Sequence, residues 1–173
     1  DSVGSAVRGV DIRIINPDTT GVGHVQVRGS TLMTGYLNDP EQTATAFDGE
    51  WLKTGDLGYL DASYHLHLVG RSKNMIVTAG GKNIYPEDIE QAFIQTPCDE
   101  FAVFAANYIW PDKQLVDEEL VLVIRGIADT THLHTTLDTL NKRLPDFKRI
   151  SGFIAWQDDF PRTASMKLKR QVL

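Results

Sequence analysis

Residues Gly70–Glu90 read "GRSKNMIVTAGGKNIYPEDIE", and the rest of the chain is arranged around this stretch. Arg71 and Lys73 follow a glycine on a turn; a short apolar run comes next, then Gly80 and Gly81, then a helix start at Pro86. A purely structural segment needs none of the polar groups set between those parts. The stretch therefore reads as a hinge joining two mobile bodies that share one active site. Two other stretches bear on it, "WLKTGDLGYLD" (Trp51–Asp61) before it and "PRTASMKLKR" (Pro161–Arg170) near the end.

On the N-terminal side the pattern is β-rich. "GVDIRII" (Gly9–Ile15) and "HVQVRG" (His24–Gly29) alternate as half-buried strands do, with the turn cluster "NPDTTGVG" between them. Asn38 and Asp39 before Pro40 and Glu41 mark a helix start, and the helix runs to about Asp48-Gly49. "SYHLHLVG" (Ser63–Gly70) is a further strand. Past Arg71, "MIVTA" reads as a buried strand and "PEDIEQAFIQTP" as a helix with Ile89, Ala92 and Phe93 on one face. "FAVFAANYIW" and "ELVLVIRG" are strands; "HLHTTLDTLNKRL" is a helix stopped by Pro145, and "ISGFIAW" is a last strand. The class is α+β, and the second part has the order β-α-β-β-α-β of a split βαβ sandwich. The boundary falls close to residue 71, giving bodies of 1–70 and 71–173.

Composition excludes several classes of function. A net charge of −6 argues against nucleic-acid binding, which requires a clustered basic face. The single cysteine, Cys98, leaves no internal disulfide framework and fits a reducing cytoplasm. No apolar run reaches the length of a membrane span, and "DSVGSAVRGVDIRII" enters strand pattern almost at once, without an initiator Met or a leader. The chain is expected to be a fragment of something longer.

The residues able to carry chemistry each have a plain alternative. Asp56, in the polar turn "KTGDLG", could accept two hydrogen bonds from a vicinal diol such as a ribose, or bond its own backbone as Asp beside Gly commonly does. Arg71 offers a planar fork for hydroxyl or phosphate and Lys73 a mobile point charge, or both are a solvated turn. Gly80 and Gly81 permit close backbone approach to a ligand, or supply positive φ in a hairpin. "TAGGKN" is not a phosphate loop: the preceding glycine is missing and Asn83 stands where Ser or Thr is needed. Lys167 lies in a polar loop; it is soluble surface unless an anionic transition state requires a placed ammonium. His65 with His67, and His132 with His134, lack the Cys or carboxylate that would complete a metal site, and Cys98 has no nearby His partner. No metal site is expected.

Taken in order, "GHVQVRGSTLMTGYLNDPEQTATAF", "GEWLKTGDLGYLD", "GRSKNMIVTAGGKNIYPEDIE" and "PRTASMKLKR" resemble the C-terminal part of the adenylate-forming superfamily. Its members are acyl-CoA synthetases, nonribosomal peptide adenylation domains and firefly-type luciferases; "KNMIVTAGGKNIYPEDIE" is most like the fatty acyl-CoA synthetases. The resemblance implies a protein that joins a carboxylic acid to ATP with Mg2+, forms an acyl-adenylate and pyrophosphate, and passes the acyl group to the thiol of coenzyme A. A carrier-protein acceptor, a luciferase-like oxidation and a non-catalytic module of the same fold are the alternatives. It also implies that 1–70 is the β-rich end of a large AMP-binding domain and 71–173 a mobile lid. By the same resemblance Asp56 binds the ribose hydroxyls, Arg71 holds the nucleotide, Lys73 is the hinge, Gly81 with Gly80 lies beside the pantetheine, and Lys167 supports adenylation. The family's terminal motif commonly reads Gly-Lys, whereas Met166 precedes Lys167 here, as in some fatty-acid-activating members. Membrane contact is expected only through a lipid substrate. The family's upstream phosphate loop and acyl pocket match no stretch of this chain, so the fragment is expected to be inactive alone.

Overall fold

A computed structural model describes residues 2–78, 80–96, 98–109, 119–127 and 133–170 of the chain. The described residues divide into two units, 1–73 and 74–173. Among the described residues the first holds one five-stranded sheet, and the second a three-stranded sheet and a two-stranded one.

In the first unit the alternating runs form strands β1 (Val10–Ile15) and β2 (Gly23–Gly29), antiparallel with Ile14 opposite Val25. Helix α1 (Pro40–Ala46) starts as the sequence indicates. Asp39 caps it, accepting from the Gln42 N–H at 2.8 Å, and Pro40 takes the first turn, where no N–H is required. It ends two residues earlier than the pattern suggested. Phe47 and Asp48 become a short strand, β3 (Phe47–Asp48), which folds back across Gly49 (φ +62°) onto Trp51 and Leu52.

The spine of the unit is β4 (Trp51–Leu60), which carries β2 on one edge. The other edge is served first by β3 and then by β5 (Leu66–Arg71). The sequence placed a polar turn in the middle of this strand, and the structure corrects that. Gln26 faces Lys53 and His24 faces Leu57, so β4 spends four positions where β2 spends two. The excess is a bulge at Thr54–Asp56, where Gly55 takes φ +77°. The Thr54 hydroxyl stands in for the broken ladder, donating to the Val25 carbonyl (2.8 Å) and accepting from the Asp56 N–H (3.0 Å). Val22, Val25, Leu57 and Leu66 are the buried apolar residues of this unit among those described. Gln26 is buried with them and accepts both Nε and Nη2 of Arg13.

Strand β5 begins at Leu66 because Asp61 turns the chain ahead of it. The Asp61 Oδ1 accepts the N–H groups of Ser63 (2.9 Å) and His65 (3.0 Å). His65 therefore precedes the strand, with its Nδ1 3.6 Å from Asp61 Oδ2. His67 stacks flat on Tyr59 at 4.7 Å and sets Nε2 3.0 Å from Asp61 Oδ2.

In the second unit "MIVTA" is not a buried strand. Only β6 (Ile76–Val77) forms, pairing with β7 (Asn83–Ile84) in a separate hairpin, and Val77 is exposed. Helix α2 (Pro86–Phe93) follows, burying Ile89 and Phe93 completely. Strand β8 (Glu100–Ala105) stops at Ala105; Ala106–Ile109, expected to extend it, coil into the one-turn helix α3. Then come β9 (Leu120–Arg125), α4 (Leu133–Asn141) and β10 (Ile150–Trp156). Their sheet has the order β10-β9-β8, parallel across the α4 crossover and antiparallel between β8 and β9.

Strand β9 is apolar at every inward position because both its faces are covered. Leu120, Leu122 and Ile124 meet Ile89 and Phe93 of α2 and Leu133 and Leu137 of α4. Val121 and Val123 point the other way, towards Phe104 and Phe160. His134 tilts against Phe153 at 5.0 Å, while His132 lies outside the described residues. No helix among the described residues is long and apolar enough to cross a membrane.

Two expectations follow. The Asp61 carboxyl is held down to about 2, first by His67 and then by the His65 N–H. Its contribution to the Asp61–His67 corner is thus complete above the ordinary carboxylate value and is lost as pH falls through that value towards 2. Hydrogen exchange at His65 and Leu66, which accelerates in that acid window in the parent but not in Asp61→Asn, is the check. At Gly58, an added Cβ would meet the His67 carbonyl at 2.3 Å, so Gly58→Ala should destabilise the first unit by roughly 1–3 kcal/mol in urea unfolding.

Candidate functional site

The bulge in β4 determines where Asp56 and Arg71 stand. Asp56 is the first residue of β4 to pair with β5, and its partner in register is Arg71, the last residue of β5. Arg71 Nε donates to Asp56 Oδ1 at 2.8 Å and Nη1 to the Thr54 carbonyl at 3.2 Å. A carboxylate acceptor and a guanidinium donor are thus fixed side by side at one edge of the sheet. Both are part-exposed, and a pair of this kind contributes at most about 1 kcal/mol to folding. Fold stability therefore does not require this pairing. Gly55 is open on this side as well: the nearest atom to a Cβ built there is Arg71 Nη1, at 3.8 Å.

The chain leaves Arg71 through a 3-10 turn, Ser72–Asn74. Lys73 is exposed and is the last residue of the first unit. Asn74 opens the second, and its Nδ2 donates to Glu87 Oε1 of α2 at 2.5 Å. The chain is held at Arg71 and again at Asn74, with Ser72 and Lys73 between.

The β6–β7 hairpin turns between Thr78 and Lys82. The Thr78 carbonyl accepts the Gly81 N–H (2.8 Å), and its hydroxyl accepts the Lys82 N–H (3.0 Å). Gly81 sits at φ +73° with nothing within 4 Å of an added Cβ, so conformation and not space selects glycine there. Gly80 has no such requirement, its nearest neighbour being Thr78 Oγ1 at 3.8 Å.

Lys167 is exposed on a second hairpin, closed by the pairing of Arg162 with Leu168. Its backbone is fixed from both sides by Thr163, whose N–H donates to the Lys167 carbonyl (2.8 Å) and whose hydroxyl accepts the Lys167 N–H (3.1 Å). Met166 precedes it at φ +62°, a left-handed position that suits glycine. Met166, where the superfamily that the motifs resemble commonly has Gly, is thus a residue under backbone strain.

Two residues of this hairpin escaped the sequence reading. Arg162 pairs with Glu100 of β8. Arg170 is largely buried; its Nη2 meets Glu90 Oε1 of α2 at 2.5 Å and its Nη1 meets the Val103 carbonyl at 2.8 Å. The motif "PRTASMKLKR" contained both arginines, but burial of Arg170 depends on a helix 80 positions away and left no local signal. Cys98 packs against the core, and burial with the Asp99 carboxylate pushes its thiol pKa up, away from nucleophilic use. Among the described residues no group of three or more His, Cys, Asp or Glu could hold a metal ion.

Met166→Gly removes the strain of about 1–2 kcal/mol that a side chain carries in the left-handed region, against a smaller loss of backbone entropy. It should raise the stability of the second unit by up to about 1 kcal/mol in urea unfolding; destabilisation would refute the strain.

No family model matches the chain. Long-chain-fatty-acid–CoA ligase ACSBG1 of Mus musculus is 45% identical over 92 residues, 53% of this chain and 13% of that protein. 4-Coumarate–CoA ligase 2 of Nicotiana tabacum is 32% identical over 178 aligned positions, 98% of this chain and 32% of that protein. Among solved structures, o-succinylbenzoate coenzyme A synthetase from Bacillus subtilis, in complex with ATP and magnesium, superposes with a TM-score of 0.82. That match is 29% identical and covers 98% of this chain and 34% of that one. The chain thus spans a third or less of the relatives it matches. With likeness in sequence and in fold running along its whole length, the chain belongs to the adenylate-forming superfamily, in the company of the acyl-CoA ligases.

Proposed function

We propose that this chain is the C-terminal part of an ATP-dependent acid–CoA ligase. The observation that carries the assignment is Lys167: an exposed ammonium on a hairpin whose backbone is fixed, with no carboxylate at ion-pair distance among the described residues. A lysine whose backbone is held and whose ammonium has no carboxylate partner among the described residues has charge available for a ligand.

In the proposed chemistry a carboxylate oxygen attacks the α-phosphorus of ATP. The bond to the bridging oxygen breaks, and pyrophosphate leaves with the electron pair. Both reactants are anionic, so a cation at the developing charge lowers the barrier, by about 2.7–4 kcal/mol for a comparable single donor. Lys167 supplies that cation. Asp56 accepts from the ribose hydroxyls while Arg71, holding Asp56 at 2.8 Å, directs its remaining donors at the nucleotide. In the second step the thiol sulfur of coenzyme A attacks the acyl carbonyl and AMP leaves. Lys167 is then an obstruction. Rotation at Lys73 takes it away and brings the Gly80–Gly81 turn to the pantetheine. The anchors at Arg71 and Asn74 would confine the φ/ψ change to the two residues between them. Mg2+ enters with ATP as part of the substrate.

For the acid we infer a long acyl chain, supported by the 45% identity to a long-chain-fatty-acid–CoA ligase. Whatever contact the protein makes with a membrane would then come through its lipid substrate, in a cytoplasmic setting.

In the complete enzyme, Lys167→Ala should abolish acid-dependent pyrophosphate exchange while leaving thioester formation from a supplied acyl-adenylate intact. Lys73→Pro should do the reverse, by stiffening the turn. A Lys167→Ala enzyme exchanging pyrophosphate at the parental rate would overturn the role of Lys167, and equal loss of both half-reactions in both variants would overturn the two-state lid.

A further inference from the structure

Lys167 can act on a phosphate only if its hairpin presents it in one place, and three residues later Arg170 provides the fastening. Among the described residues strand β8 is an edge of its sheet, and no described strand pairs with its outward backbone groups. At Val103 two side chains take that place. Glu90 of α2 accepts the Val103 N–H at 2.8 Å, and Arg170 donates Nη1 to the Val103 carbonyl at 2.8 Å. The two side chains also pair with each other at 2.5 Å, and the guanidinium lies over the Phe104 ring at 5.4 Å.

Only a forked donor can satisfy a carbonyl and a carboxylate together in this way; a lysine ammonium lacks the planar geometry. The hairpin's other leg is fastened by Arg162 to Glu100 on the same strand. Between the two fastenings the Lys169 N–H donates to the Pro161 carbonyl (2.8 Å), and Arg162 Nη1 donates to the Met166 carbonyl (2.7 Å). From Arg170 to Lys167 the chain spans at most about 10 Å even fully extended, so fixing one restricts the other.

We propose that Arg170 is a positioning residue for the adenylation step: clamped to Glu90 and Val103, it holds the leg of the hairpin that aims Lys167. The role rests on the adenylation assigned to Lys167 above. Arg170 touches neither substrate nor reacting atoms. Its loss should therefore be felt through Lys167 alone, and only in the half-reaction that uses Lys167.

The test is a double-mutant cycle in the complete enzyme, reading pyrophosphate exchange and thioester formation from a supplied acyl-adenylate separately. Arg170→Ala should lower the kcat of exchange on the order of 10- to 100-fold, the usual cost of a small misplacement of a catalytic group, with KM for ATP changed much less. Arg170→Lys should be nearly as impaired, and thioester formation should stay near the parental rate in both, which also reports that the unit is folded. In a Lys167→Ala background, Arg170→Ala should have no further effect on exchange. The proposal is overturned if Arg170→Ala exchanges at the parental rate, if both half-reactions fall together, or if the effects of the two substitutions multiply. Should Lys167→Ala itself leave exchange unchanged, the adenylation assignment fails first and takes this role with it.

Discussion

Backbone polar groups that lose their partner in a sheet have to be satisfied by something else, and that constraint organises both units. In the first unit β4 changes partners from β3 to β5 halfway along its length. At the change the ladder is broken and side chains repair it: the Thr54 hydroxyl bridges to Val25, and Arg71 reaches the Thr54 carbonyl. In the second unit the interruption is the outer edge of β8, repaired at Val103 by Glu90 and Arg170. The side chains recruited for these repairs stand beside residues to which the proposed chemistry gives a role. Arg71 is held by the same geometry that holds Asp56, and Arg170 by the same geometry that fixes the leg carrying Lys167.

Much of the fold was legible because it follows from local rules. Asp39 before Pro40 specifies a cap and a first turn, and the structure forms both. Leu120, Leu122 and Ile124 against Val121 and Val123 follow the two-residue period of a strand buried on both faces, and Leu133 and Leu137 follow the helical one. What failed depended on partners distant in sequence. "KTGDLG" looks like a turn because Gly55 does adopt a left-handed step, but β2 and β5 flank it and convert the step into a bulge. "MIVTA" has the composition of a strand, yet among its described residues only Ile76 and Val77 pair in a ladder, with Ile84 and Asn83. "FAVFAANYIW" continues the β pattern past Ala105, but the ladder with β9, the strand partner of β8 among the described residues, ends at the Ala105–Leu120 pair.

For the candidate site the division is similar. Asp56, Arg71, Lys73, Gly81 and Lys167 could be singled out because motifs mark them, but nothing in the sequence said that Asp56 and Arg71 would be partners in register. The importance of Arg170 was hidden for another reason. A charged residue near the end of a chain reads as surface, and its burial depends on Glu90 and Val103, far away in sequence. Met166 is the converse case: the departure from glycine was visible at once, but its meaning needed the backbone angle.

The proposed chemistry makes opposed demands on Lys167. Adenylation wants the ammonium fixed to within a fraction of an ångström, whereas thiol entry wants it gone. A flexible loop would satisfy the second demand by failing the first, because a wandering lysine gives up the electrostatic preorganisation on which its effect depends. The distribution of hydrogen bonds suits a different solution. Lys167 is bonded through its own backbone to Thr163, and its hairpin is fastened at Arg162 and Arg170 to the edge of the second unit's sheet. Between Arg71, tied to β4, and Asn74, tied to α2, stand Ser72 and Lys73, where the proposed hinge lies. On that proposal, freedom concentrated in those two residues would let the cation travel with its unit while keeping its place within it. On the proposed two-step chemistry, such a separation of a rigid mount from a narrow pivot would let one lysine be both well placed and removable.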